Sequence, residues 1–209
     1  MCHMREKKTG WMGRVPGIAA LGLIALPAEA IVLPPGGVVP LMGTTAAIRP
    51  ELAGLVIYDE LIDFEIRDGA VLLYRGTLQN RVVRSDLSGN LHFYYYIRDT
   101  EPGLNGYIRY VRTTRFPGVL TDVDYRLDGL GTVGPDLARR SPAPGTLVEF
   151  EFSGLLPAGQ ESRFFFIITD VKEFVTGGET TLYLHTGQRV TLPTVMPAPT
   201  STARGDMNC

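Results

Sequence analysis

The chain has 209 residues, 44% hydrophobic and 20% charged, with 20 Lys+Arg against 22 Asp+Glu. That ordinary globular balance excludes a disordered chain, a collagen-like repeat and a coiled coil, and it offers no surplus basic charge for a nucleic-acid partner. The 24 Gly and 15 Pro favour many turns over long helices.

Residues 1–30 read as an export leader. Arg5, Lys7, Lys8 and Arg14 outweigh Glu6 ahead of the apolar run Gly17–Leu26, and Ala28 and Ala30 form a small-x-small site. These are the three parts of a secretory signal peptide. The apolar run is too short to cross ~30 Å of hydrocarbon comfortably, which disfavours the alternative of an uncleaved anchor. Cleavage after Ala30 is expected, making Ile31 the first residue of a secreted chain with no membrane anchor. No Cys follows Ala30, so a lipoprotein signal is missing. Losing four basic and two acidic leader residues leaves 16 basic against 20 acidic, a net charge of −4. Cys2 departs with the leader, so Cys209 is alone. It can make no internal disulfide or thiolate cage, but it is a candidate for an intermolecular disulfide in an oxidising compartment. Non-reducing gels would show the resulting dimer.

Ile31–Gly43 is Pro- and Gly-rich, and residues 31–50 read as an extended lead-in. Period-two alternation begins after it. Ile62, Phe64 and Ile66 alternate with Asp63, Glu65 and Arg67. Strands are expected over Ala70–Leu78 and Arg81–Arg84. Leu91, Phe93, Tyr95 and Ile97 then alternate with His92, Tyr94, Tyr96 and Arg98. Gly106–Phe116 reads as a strand, as do Val123, Tyr125 and Leu127 between Asp122, Asp124 and Arg126. Thr132–Gly145, with its Pro and Gly, reads as a loop. Val148, Phe150 and Phe152 alternate with Leu147, Glu149 and Glu151. Arg163–Thr169, Thr181–His185 and Gln188–Leu192 complete roughly nine or ten strands. Pro193–Cys209 reads as a flexible Pro/Thr/Ser-rich tail. Turn signals separate the strands, among them Asp68-Gly69, Ser88-Gly89-Asn90, Gly177-Gly178 and Thr186-Gly187. Alternating strand residues face opposite sides, so each strand buries one face. The predicted fold is all-β, an antiparallel sandwich of Ig-like or jelly-roll type over residues 51–192, with a barrel as the competing closure.

Several runs also carry a resemblance. They are Gly76–Ser85, Leu91–Tyr96, Phe116-Pro-Gly118 with Thr121–Tyr125, Val148–Phe152, and Leu156–Gly159 leading to Ser162–Asp170. Together they resemble an uncharacterised class of secreted bacterial β-sandwich domains often found in PEP-CTERM-type sorted exoproteins. The resemblance implies a sandwich outside the cell and supplies no catalytic residues. The sorting motif, membrane helix and basic tail of that class do not follow Leu192, so release, a truncated anchor or a joined partner is expected.

Signatures of catalysis are sparse. No G-x-S-x-G, H-E-x-x-H or phosphate-cradling loop occurs, and only His92 and His185 remain in the mature chain. A non-enzymatic protein without cofactors is expected, with a hydrolase of unrecognised site as the remote alternative. Glu149 and Glu151, about 6–7 Å apart along one strand face, read as a solvated face rather than a glycosidase pair. Asp122 and Asp124, with Asp128 beyond, are weak candidates for calcium; pairing with Arg126 or a neighbouring strand's Arg is favoured. Arg204-Gly205-Asp206 reads as a chance tripeptide. Tyr94, Tyr96 and Arg98 share one strand face and form the candidate partner-binding platform, joined by Tyr107 and Arg109 or by Tyr110 and Arg112 from a nearby strand. The expected role is structural or in assembly at the bacterial cell surface or extracellular matrix. The alternative is a module binding a surface glycan or protein, including a second copy of itself.

Overall fold

The structure, a computed structural model, describes residues 30–199. The leader to residue 29, the tripeptide Arg204-Gly205-Asp206 and Cys209 lie outside the described residues. Eleven strands and one 3-10 turn (Pro50–Leu52) make up the regular structure, with no α-helix among the described residues. The strands are β1 (Val38–Pro40), β2 (Gly54–Asp68), β3 (Val71–Ser85), β4 (Leu91–Arg98), β5 (Tyr107–Thr114) and β6 (Asp122–Tyr125). They continue as β7 (Leu137–Arg140), β8 (Leu147–Pro157), β9 (Phe165–Ile168), β10 (Phe174–Leu184) and β11 (Arg189–Pro197). Two antiparallel sheets pack face to face as a sandwich. One has the order β1-β7-β8-β5-β10-β11 and the other β2-β3-β4-β9-β6.

Alternation selects the buried faces as expected. Leu91, Phe93, Tyr95 and Ile97 of β4 meet Val148, Phe150 and Phe152 of β8, and all are fully buried. Phe165 lies between the sheets, 4.8 Å from Phe150 and 5.7 Å from Tyr95 by ring centroid. Each such side chain contributes about 1.5–3 kcal/mol relative to exposure. The buried Tyr95 hydroxyl lies 3.0 Å from the Thr113 hydroxyl, so its hydrogen-bonding capacity is used.

Both open sides of the sandwich are tied. On one, the Val195 N–H donates to the Asn80 side chain at 3.0 Å, and Tyr58 packs on Phe174. On the other, Arg140 spends all five guanidinium donors inside the fold. It donates to the carbonyls of Gly145, Leu33, Phe116 and Val119 and to the Thr121 hydroxyl, at 2.7–3.2 Å. No carboxylate joins this cradle, and burial lowers the Arg140 pKa.

Four local expectations need correction. The segment Thr132–Gly145 contains β7, which gains order from β8 on one side and β1 on the other. β1 lies within the lead-in. Pro193 and Pro197 do not end the last strand: β11 continues to Pro197. It is the edge strand, where a missing N–H on the outer side costs no ladder bond. Gly177-Gly178 is not a turn but a bulge inside β10, with Gly177 at φ +101° where the register to β11 shifts. Finally, Gln79-Asn80 does not interrupt β3, because Gln79 donates to Asp59 at 2.7 Å and Asn80 accepts from Val195.

Candidate binding face

The two sheets present outer faces with similar residue types and different fates. On the five-stranded sheet the pairing register sets up two cross-strand rows. Val83, His92, Ile168 and Asp122 form one, and Arg81, Tyr94, Phe166 and Asp124 form the next. Tyr94, Tyr96 and Arg98 do point to this outer side, opposite the core set. They are nevertheless not a platform, because Tyr94 and Tyr96 are only 3% and 1% exposed. Phe164 packs tilted against Tyr96 at 4.4 Å and edge-on to Tyr94 at 6.3 Å by ring centroid, and Leu52 and Ala46 pack onto the same cluster. The Tyr96 hydroxyl donates to Glu161. Arg98 pairs with Asp99 and overlies the Tyr96 ring at 5.9 Å. The cover is the strap Gly43–Ala53, which crosses the sheet and pins itself by donating from Gly43 N–H to Asp124 and from Ala46 N–H to Asp128.

The same strap explains the aspartates. Arg49 donates to both carboxylate oxygens of Asp122 and through Nε to Glu51 at 2.8 Å. Of the partners expected for Asp122, Arg126 or an Arg of a neighbouring strand, Arg126 pairs with Asp128, and Arg49 comes from the strap rather than from a strand. The carboxylates proposed for calcium are therefore engaged within the fold: Asp122 also accepts from Ile31 N–H, and Asp124 accepts at Oδ1 from the Gly43 and Tyr125 N–H groups. Burial raises the pKa of both carboxyls despite these donors. Among the described residues no cluster of three His, Cys, Asp or Glu could hold a metal ion. His92 sits in the same covered layer with no exposed surface. Neither ring nitrogen has a hydrogen-bond partner among the described residues. Burial lowers its pKa to about 4. His185 lies on the other sheet, in the β10–β11 turn, edge-on to Tyr107 at 5.4 Å.

The outer face of the six-stranded sheet stays open. One row runs Arg139 (β7), Glu149 (β8), Arg112 (β5), Thr181 (β10) and Thr191 (β11). The adjacent row runs Leu137, Glu151, Tyr110, Tyr183 and Arg189. Glu149 and Glu151 are not a solvated face: their side chains are 9% and 7% exposed because arginines lie over them. Arg112 and Arg139 pair with Glu149, and Arg139 and Arg109 with Glu151. Burial pushes the Glu151 pKa up, but the hydrogen bonds from Arg139 and Arg109 outweigh it and hold the carboxylate ionised. Tyr110 and Tyr183 stand side by side and half-buried. Arg109 lies 5.1 Å from the Tyr110 centroid, and Arg112 and Arg189 lie 4.6 and 5.8 Å from that of Tyr183. Such stacking orders the guanidinium groups while leaving their outer N–H groups to water.

Charge on these two rows is unbalanced. Three arginines share two glutamates, and Arg189 is exposed with no ion pair among the described residues. Exposed Glu179, further along β10, bounds the patch at one end. A chain expected to be acidic overall thus carries a local cationic, aromatic surface. Sequence reasoning offered Tyr110 and Arg112 to the wrong sheet and left Tyr183, Arg139 and Arg189 out. The available signal was the paired alternation of Tyr110/Arg112 with Glu149/Glu151, which marks facing strands. Comparison with protein-family models, curated proteins and solved structures yields no match.

Proposed function

We propose that the protein is an exported, non-enzymatic β-sandwich of the cell surface or extracellular matrix. In this reading it binds an acidic surface glycan through the open face of its six-stranded sheet. The observation that carries the reading is the adjacent pair Tyr110 and Tyr183 set among Arg109, Arg112, Arg139 and Arg189, whose charge exceeds that of the two glutamates beneath. Tyr rings give sugar rings a flat apolar surface with a polar rim. Guanidinium forks match carboxylates. Arginines stand on alternate strands, β7, β5 and β11, which places them ~10 Å apart across the sheet. That interval is close to the length of an extended disaccharide, so a polymer with one uronate per disaccharide fits it. The leader pattern and the resemblance to secreted sandwich domains support the compartment.

Affinity electrophoresis through gels containing polyuronate, neutral dextran or single-stranded DNA tests the reading. Retardation by polyuronate alone is expected, and Tyr110→Ser/Tyr183→Ser and Arg189→Gln should each reduce it at least tenfold. Equal retardation by DNA, or retention unchanged in both variants, would overturn it.

A further inference from the structure

We infer that cleavage after Ala30 does more than release the chain: the new α-ammonium of Ile31 adds a second cation to a buried acidic cluster and locks the strap. This inference rests on the leader reading, not on the glycan reading. The Ile31 nitrogen lies 3.1 Å from Asp122 Oδ1, in a part-buried contact with a carboxylate whose other hydrogen bonds come from Arg49. Ile31 is held there independently of that contact. Its carbonyl accepts from Val123 N–H at 3.1 Å, and Leu33 N–H donates to the Thr121 carbonyl at 2.9 Å. Ala30 is exposed, so the Ala30–Ile31 bond lies at the surface while the residues after it are built into the edge of β6.

The cluster is short of positive charge. Among the described residues Arg49 is the single cation bonded to both Asp122 and Glu51. Around it, His92 is buried and uncharged at neutral pH, Asp124 adds a further carboxylate one pleat along β6, and Arg126 is matched by Asp128. In the uncut chain the Ile31 N–H is a neutral amide donor. After cleavage the same nitrogen is an ammonium at the same place, and two cations then face Asp122 and Glu51. A charge-assisted hydrogen bond is about twice as strong as the neutral one it replaces. Because Asp122 also anchors Arg49 of the strap, the added charge tightens the cover over Tyr94, Phe164 and Phe166 as well as the N-terminus. Folding does not need the cut, since the amide already makes the contact; the cut adds charge.

The test compares two chains, both ending at Cys209. One starts at Ile31, released from a fusion by a protease that leaves no extra residue, and the other retains Ala30 as N-acetyl-alanine, so it carries no α-ammonium of its own. At pH 7 the Ile31 chain should melt roughly 2–4 °C higher, the shift of one partly buried ion pair in a domain this size. The carboxylate raises the folded pKa of the ammonium above its ordinary ~8. With Asp122 ionised, the advantage is therefore full from neutral pH to about 8 and disappears as pH rises through the raised value; it also fades in acid as Asp122, whose own pKa burial raises, takes up a proton. Carbamylation of the Ile31 amine with cyanate should abolish it. Equal melting temperatures with superimposable pH profiles would overturn the ammonium's role. N-terminal sequencing of the exported protein separately tests the leader: a first residue other than Ile31 would remove the processing assignment without touching the glycan-binding assay.

Discussion

Lowering the pH from 7.5 to 4 should unfasten the covered face through one residue, His92. Its ring is fully buried between Val83 and Ile168 in the cross-strand row, beside Tyr94. Burial is the main cause of its low pKa; Glu51 pulls the other way, while Arg49 and Arg126 reinforce burial. The folded value of about 4 lies below the ordinary 6.5, so the unfolded chain binds the proton first. Stability is therefore unaffected above pH 6.5 and falls as pH drops below it. At about 1.4 kcal/mol per pH unit, the loss is about 2 kcal/mol at pH 5 and about 3 kcal/mol at pH 4. Carboxylates titrate in the same range, so the effect is read as a difference from His92→Leu. That substitution keeps an apolar side chain of similar reach and removes two ring nitrogens that lack hydrogen-bond partners among the described residues. It should cost less than about 1.5 kcal/mol at pH 7.5 and flatten the profile below pH 6.5. Urea denaturation at half-unit pH steps measures both chains. Parallel profiles between pH 7.5 and 4 would refute a buried, neutral His92.

Further substitutions probe the other internal supports. Arg140→Met leaves the carbonyls of Leu33, Phe116, Val119 and Gly145 facing a thioether; a loss of more than about 3 kcal/mol in urea denaturation is expected. Asp122→Asn leaves the Arg49 guanidinium, itself 2% exposed, with Glu51 as its remaining carboxylate and should cost about 2–3 kcal/mol, whereas Arg49→Met/Asp122→Leu should cost less than the single change. Gly131 holds φ +81°, and a Cβ there would overlap the Ser162 carbonyl. Gly131→Ala should lower the melting temperature by at least about 5 °C, measured by circular dichroism.

Period-two alternation was enough to place Phe93, Tyr95 and Ile97, and Phe150 and Phe152, in one core, because in a strand the direction of each side chain follows from its position alone. The two-sheet class followed from the same signal and the turn residues. β7 and the Pro-bearing end of β11 were not legible, because their order comes from neighbouring strands rather than from local preference. The outer faces were even less so. Tyr96-Ile97-Arg98 and Tyr110-Val111-Arg112 have equivalent local patterns, yet one tyrosine is sealed and the other open. What separates them is where residues 43–53 land. That landing is set by Arg49 reaching Asp122, 73 positions along the chain, and by Gly43 and Ala46 donating to Asp124 and Asp128. Contacts of such separation leave no mark in spacing. They form only when the sheet has already brought β6 and β9 beside β4, so the tertiary structure alone decides which aromatic face meets water.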